Sequence, residues 1–388
     1  LFLIAKTGSG KSAVPLAVGS LQSGITLTMV PLVGLGSDQV SKSTNEANFI
    51  EAYHLDEHMG TDAQVLKNRL LSLNTREAEF VSIFLYVSPQ SLQPGTLWHK
   101  LLVTLSSRDL IRLIVVDEAH SVALDGRDFR PEFRTAMKTL KSLYDNQPTR
   151  CNRLVMSATF RKCDQDIIAD LYKCPPDETI WLELSRRQIV FDVNVCGKPS
   201  LSISSSVSQD LKDPTDLKVI VYTNSKQQAL GSITDSMEGV LEKRKINGEV
   251  IPMTGDDGIQ FKVWVMHAFA NDICADGDED NGQDTPHLPL LRIMPATKAA
   301  DCGVSSQQCR RSYRNGLPSN MHTVVQEMGR VDRNPLAEPG DNRYEVHISF
   351  GCVVKIYARI MQHPLESERS TQITSMLVVR NHFLKTLG

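Results

Sequence analysis

The sequence predicts an α/β protein in which two mainly parallel sheets, each flanked by helices, follow one another along 388 residues. Three observations carry that prediction. Short apolar runs at residues 1–4, 25–30, 81–87, 113–116 and 153–156 alternate with helical stretches, the pattern of parallel strands joined by crossover helices. The first run feeds a small-residue loop and then a helix, AKTGSGKS at 5–12, which is the layout of a phosphate-binding loop. The alternation restarts at 219–222, after a Ser- and Asp-rich stretch at 200–216. The expected division is therefore a first domain at 1–195, a linker or loop at 196–216, and a second domain at 217–388.

In the phosphate loop, Gly8 and Gly10 let the backbone approach phosphate oxygens with no Cβ in the way. The helix that begins at its end adds a partial positive charge. Thr7 to Ser12 would wrap a nucleotide's phosphates. Lys11 would reach the β- and γ-phosphates, and the Ser12 hydroxyl would ligate Mg²⁺. An ordinary Gly-Ser turn between strand and helix is the alternative, and the first fixed position is Ala5 rather than Gly.

The remaining elements follow in order. Residues 13–21 read as a helix, and 25–30 as a strand ending at Pro31. A polar helix is expected at 37–47 and a short strand within 48–55. Leu66, Leu70 and Leu73 have helical spacing within 62–73. The strand at 81–87 ends at Ser88-Pro89, that at 113–116 in Asp117, and that at 153–156 in Ser157. In the second half, 219–222, 291–294 and 344–350 read as strands and 227–245 as a helical stretch, while 261–269 is open between the two. The acidic run at 271–286 lacks the ligand spacing of a calcium loop and reads as a solvated surface loop.

Composition narrows the function classes. A hydrophobic fraction of 41% and a charged fraction of 22% are those of a soluble globular protein. No apolar run approaches the ~20 residues a membrane span needs, and no signal peptide is visible. A net charge of −3 argues against broad coating of nucleic-acid phosphates but leaves room for a local basic groove. Eight scattered cysteines with no C-x-x-C pair predict free thiols in a reducing compartment and no zinc site. The chain has no initiator Met and begins inside its first core strand, so it reads as a fragment.

Strand ends are where ligands gather in such sheets, and the chemistry-bearing residues fall there. Asp117-Glu118-Ala119-His120 follows an apolar strand downstream of the phosphate loop. Asp117 would sit in the Mg²⁺ shell and Glu118 would polarise the attacking water. A strand-end turn with solvated acids is the competing reading. Ser157-Ala158-Thr159 ends the next strand, or caps a helix. In QEMGRVDR (326–333), Arg330 and Arg333 would share one helix face, where paired guanidiniums suit the charge of a transferring phosphoryl group.

In this order the motifs resemble a superfamily 2 helicase core, most specifically that of RecQ-like DNA helicases. AKTGSGKS resembles motif I, VPLVGLGSDQV (30–40) motif Ia, and YVSPQSL (86–92) the motif around a "PE" step. VVDEAHSVALDGRDFRPEF (115–133) is the most diagnostic stretch. It joins a DEAH box to a segment similar to the loop that couples DNA binding to hydrolysis. MSATF resembles motif III, and SRRQIVFDV (185–193) the crossing into the second domain. VIVYTNSKQQA resembles motif IV, ATKAADCGVSS (296–306) motif V, and QEMGRVDR motif VI.

The resemblance implies two tandem RecA-like domains of the P-loop NTPase class, with ATP and Mg²⁺ as cofactors. It implies that Gln326, Arg330 and Arg333 reach ATP from the second domain, with Glu118 catalytic. His120, Ser157, Thr159, Asp128, Phe129 and Arg130 would couple hydrolysis to movement. Pro31, Ser88, Arg127 and Thr297 would contact single-stranded or forked DNA, with RNA left open, in an intracellular protein that is nuclear if eukaryotic. Asp125 and Arg127 stand where the family has Trp and His, Gln90 where it has Glu, Ser305 where it has Asp, and Asp332 where it has Gly. These changes bear on coupling more than on ATP binding. The adenine-reading segment, zinc subdomain and winged-helix domain of longer relatives are not expected within this chain. Two alternatives to a DNA helicase stay open: a degenerate, non-catalytic nucleic-acid-binding remnant, and a DNA-stimulated ATPase that translocates without unwinding.

Overall fold

The computed structural model describes residues 1–6, 8–31, 40, 50–125, 131–149, 151, 152–173, 175–182, 188–211, 217–270, 290–297, 306, 308–319, 321–331 and 342–351. The chain divides into two compact units, Leu1–Ser185 and Arg186–Gly388.

The first unit is a seven-stranded sheet of β1 (Phe2–Ile4), β2 (Gly24–Met29), β3 (Ile50–His54), β4 (Ser82–Val87), β5 (Ile111–Val116), β6 (Asn152–Ser157) and β7 (Thr179–Trp181). Its order is β3-β4-β2-β5-β6-β1-β7, and every described pairing is parallel. Central strands of a parallel sheet are covered on both faces, so they read as continuous apolar runs. Strands β2 and β4 are buried at every residue.

Side-chain alternation sorts the two faces. Ile25, Leu27, Met29, Ile83, Leu85 and Val87 join one large core with the helices Gly60–Ser72, Leu97–Ser107 and Pro131–Asp145. The last of these buries Phe133, Ala136, Met137, Leu140 and Leu143, a stripe of period 3.6. On the opposite face Leu3, Leu113, Val115, Leu154 and Met156 meet Val14 and Val18 of the helix Ala13–Gln22. That helix follows the phosphate loop and lies very close to the sheet at Gly19. A Cβ there would stand 2.3 Å from Thr26 Oγ1 and 2.8 Å from the Phe84 ring. Pro15 sits in its first turn, where no intrahelical N–H bond is required.

The second unit is a six-stranded sheet of β8 (Ile189–Cys196), β9 (Lys218–Thr223), β10 (Glu249–Val250), β11 (Leu291–Ala296), β12 (Cys309–Asn315) and β13 (Asn342–Ser349). The order is β10-β11-β9-β12-β13-β8, again parallel throughout the described pairings. Ile220, Tyr222, Leu291 and Met294 pack with Val265 and Phe269 of the helix Ile259–Ala270 on one face. Val219, Val221, Ile293 and Tyr313 pack with Ile203, Val207, Ile233 and Met237 on the other.

Several sequence expectations are corrected here. The stretch read as linker, 196–216, begins with the last residue of β8 and continues as the helix Pro199–Asp210. Its serines disguise a buried stripe, Ile203, Val207 and Leu211 at four-residue spacing, and Pro199 pre-sets the first helical position. Strand β8 pairs along its whole length with β13, so residues 189–196 belong with the second unit and the division falls at 185/186. The open segment at 261–269 is helical. The stretch 227–245 is two helices, Lys226–Leu230 and Ser232–Arg244, broken at Gly231 with φ −118° and ψ −105°. Strand β12, CRRSYRN, had no apolar signature to predict it. The helix expected at 37–47 (Val40 apart) and the acidic run at 271–286 lie outside the described residues.

Candidate nucleotide-binding site

The predicted chemistry collects along one edge of the first sheet. All its strands run in the same direction, so the residues following β1, β2, β4, β5 and β6 share that edge. The phosphate loop leaves β1 at Ile4, tied to its neighbour by the Ala5 N–H donating to Ser157 O at 3.2 Å. Gly8 and Gly10 have φ of +85° and +81°. A Cβ on Gly10 would meet nothing within 4 Å, so glycine is needed for its conformation, not for space. The loop closes on itself through Ser9, whose N–H and hydroxyl both reach Lys6 O, at 3.2 and 2.7 Å. Lys11 Nζ folds back across it and donates to Ala5 O at 2.9 Å and Lys6 O at 3.1 Å. The Ser12 hydroxyl is exposed at the start of the helix, where the dipole favours an anion.

Strand β5 delivers Asp117 and Glu118 to the same edge. Asp117 is nearly buried, its N–H donating to Met29 O at 3.0 Å, and its Oδ1 accepts the Glu118 N–H at 2.9 Å. Glu118 has φ +45°, a left-handed conformation that costs a non-glycine residue of the order of 1 kcal/mol. Between β5 and β1 lies β6, whose last residue, Ser157, is fully buried. Its Oγ lies 2.9 Å from His120 Nδ1 and accepts the Thr159 N–H at 3.2 Å. The same His120 nitrogen lies 3.3 Å from Glu118 Oε2. One imidazole therefore connects the acid expected to orient water with the strand end expected to sense hydrolysis. The Ala119 N–H donating to Met156 O at 3.0 Å locks the two strand ends together.

The chemistry of the donors fits a magnesium ion. Ser12 offers a hydroxyl and Asp117 a carboxylate, both hard oxygen ligands, and Mg²⁺ is usually held by one or two such groups together with substrate phosphates and water. Among the described residues no cluster of three or more His, Cys, Asp or Glu could hold a metal by itself.

In the second unit Gln326 lies on the helix Met321–Met328, while Arg330 lies just beyond it. The helix stops because its last turn tightens: the Gly329 N–H reaches Val325 O at 3.0 Å and the Arg330 N–H reaches Glu327 O at 3.1 Å. Arg330 therefore stands in the turn after the helix, and Arg333, expected to share its face, lies outside the described residues. Its neighbour Glu327 is fully buried and accepts from Arg314 Nη1 and Tyr344 Oη, each at 2.5 Å. Arg314 Nη2 also donates to Asn224 Oδ1. Burial and the Glu327 charge drive the Tyr344 hydroxyl far above its usual range, so it remains a donor. This network anchors the helix that carries Gln326, and no local pattern in the sequence points to it.

Of the residues expected to touch nucleic acid, Pro31 and Ser88 are buried at the ends of β2 and β4. Thr297 is half-buried after β11, its N–H donating to Met253 O at 3.1 Å. Thr7, Arg127, Asp128, Phe129, Arg130 and Arg333 lie outside the described residues, as do Ser305 and Asp332. Among the described residues no helix is long and apolar enough to cross a membrane.

Residues 1–167 match the DEAD/DEAH box helicase family. The chain is 26% identical over 339 residues to the ATP-dependent DNA helicase RecQ of Pasteurella multocida, covering 86% of this chain and 46% of the relative. It is 25% identical over 334 residues to the RecQ-like DNA helicase BLM of Xenopus laevis, covering 86% of this chain and 22% of the relative. The chain thus spans about half the length, or less, of these curated relatives. Among solved structures it is similar to the DUF1998 helicase MrfA bound to DNA and AMPPNP, with a TM-score of 0.67 and 15% identity over 95% of this chain and 49% of that one. It is also similar to Mss116p bound to ssRNA and AMP-PNP, with a TM-score of 0.64 and 14% identity over 93% of this chain and 68% of that one. At these identities the structural neighbours speak for the tandem RecA-like fold alone. The family match to residues 1–167 and the RecQ relatives along most of the chain support a divergent, RecQ-like superfamily 2 helicase.

Proposed function

We propose that the chain is the motor core of an ATP-dependent DNA helicase, coupling ATP hydrolysis to translocation on single-stranded DNA and to duplex unwinding in the 3′→5′ direction. The observation that carries this reading is the gathering of Lys11, Ser12, Asp117, Glu118, His120 and Ser157 on one edge of one parallel sheet. Lys11 neutralises the β- and γ-phosphates, and its present carbonyl partners are weak competitors for an ammonium that phosphate can claim. Ser12 and Asp117 would hold Mg²⁺, which would offset the charge developing on the phosphates. Glu118 orients the attacking water and accepts its proton. Gln326, Arg330 and Arg333 take the role the resemblance implies, stabilising charge on a transferring phosphoryl group. His120 and Ser157 report the state of the site to the strand ends. Thr159, Asp128, Phe129 and Arg130 belong to that coupling role, and Arg127 and Thr297 to strand contact. The protein acts inside the cell, in the nucleus if its source is eukaryotic.

A second reading, a translocase that does not separate strands, is favoured by Asp125, which puts an acid where a stacking aromatic would serve. A forked duplex separates the two. The helicase reading predicts ATP-dependent strand displacement from a duplex with a 3′ tail and little from one with a 5′ tail. Single-strand-stimulated hydrolysis with no displacement from either would establish the translocase instead.

A further inference from the structure

The turn at residues 88–93, which leaves β4 on the same sheet edge, is held by side chains of which Asp56, His54 and Gln93 belong to none of the motifs above. Asp56 follows β3 and is 12% exposed. Its carboxylate accepts the Ser88 N–H at 2.8 Å, the Ser91 hydroxyl at 2.8 Å and the Ser88 hydroxyl. The fully buried His54 lies 3.3 Å from its Oδ2. Burial pushes the Asp56 carboxyl up, but hydrogen bonds from His54, Ser88 and Ser91 outweigh it and hold the pKa at about 2. From the other side, Gln93 Nε2 donates to Pro89 O at 2.7 Å and to Glu132 O at 3.0 Å. Gln90 Nε2 reaches Glu132 Oε1 at 3.2 Å. Glu132 lies in the first turn of the helix Pro131–Asp145, directly after residues 126–130.

A satisfied carboxylate behind a turn does not contact a phosphate, which it would repel. The Ser88 hydroxyl is already committed to that carboxylate in a residue only 1% exposed. What the turn presents outward is Gln90 and the backbone around it. Such groups bind well only if they are ordered before the ligand arrives, because ordering on binding subtracts from affinity.

We propose that Asp56 and Gln93 are positioning residues that hold the 88–93 turn in the form that engages a nucleic-acid strand, with Gln93 tying that turn to the start of the helix Pro131–Asp145. The proposal rests on the nucleic-acid reading above. It moves Ser88 from direct contact to scaffold and gives the turn a mechanical connection to the segment expected to couple binding to hydrolysis.

The test is fluorescence anisotropy of a labelled oligothymidine strand with wild type, Asp56→Ala, Asp56→Asn and Gln93→Ala, alongside ATP hydrolysis without nucleic acid. Asp56→Ala and Gln93→Ala should each weaken strand binding about tenfold, the scale of one or two lost hydrogen bonds. Hydrolysis without nucleic acid should stay within about twofold, because neither residue touches the phosphate loop. Asp56→Asn keeps an acceptor for Ser88 and should bind within about threefold of wild type. Gln93 is partly exposed, so its variant carries the test should Asp56→Ala fail to fold. Wild-type affinity in Asp56→Ala and Gln93→Ala, or equal losses in binding and basal hydrolysis, would overturn the positioning role alone. A wild-type protein that binds no strand would overturn it together with the nucleic-acid reading.

Discussion

Lys11→Ala abolishes ATP hydrolysis, lowering the rate at least 10³-fold, the scale at which removal of a principal phosphate-stabilising charge is felt. The expectation follows from where the ammonium sits. It crosses the phosphate loop and donates to the Ala5 and Lys6 carbonyls, within reach of whatever the loop holds. The same contacts say that the fold survives the substitution. Two hydrogen bonds from a partly buried side chain are worth about 1–3 kcal/mol at most, and the loop keeps its backbone closure through Ser9 and Ala13. Steady-state hydrolysis and a melting curve on the same preparation check both halves. Near-full activity in a folded Lys11→Ala protein would remove the nucleotide site from this loop.

Glu327→Ala destabilises the second unit by about 3–5 kcal/mol, because it strands a buried guanidinium. Arg314 and Glu327 are 2% and 0% exposed at their side chains and 2.5 Å apart, and Tyr344 donates to the same carboxylate. Removing the carboxylate leaves Arg314 with Asn224 alone for its charge among the contacts described above, and leaves the Tyr344 hydroxyl without its acceptor. For a unit of this size that corresponds to a fall of about 10 °C in melting temperature. The double variant Arg314→Met/Glu327→Met should recover much of the loss, since an apolar pair of similar volume often replaces a buried ion pair at little cost. Differential scanning calorimetry of the three proteins decides it. A loss under about 1 kcal/mol in the single variant would mean that the pair is solvated and does not anchor the helix carrying Gln326.

These two sites mark how far the sequence could be read. Asp117 and Ser157 were legible because they stand at the ends of the strands LIVV and RLVM, and Lys11 because a glycine-containing loop carries it from β1. A buried parallel strand must be apolar along its length, and the chemistry is confined to its end. Strand β12 broke that rule. Its Arg314 is buried inside the sheet, and the charge is met by Asn224, just after β9, and by Glu327 on the helix Met321–Met328, partners that no local pattern reveals. The helix Pro199–Asp210 was hidden for the opposite reason. Its buried stripe is only one residue in four, and serine-rich composition reads as loop when weighed without the period. Asp56 was missed because its partners lie 32 and 35 residues further along the chain. The parallel order β3-β4 brings them together, and neither residue type nor spacing marks such a pair.

The most direct measurement is steady-state ATP hydrolysis with and without single-stranded DNA, with Glu118→Gln as the blank. That substitution keeps the side-chain size and the backbone at φ +45° while removing the carboxylate that orients water. The account predicts hydrolysis that rises on adding the strand and disappears in the blank. Hydrolysis that ignores the strand, or persists unchanged in Glu118→Gln, would contradict it.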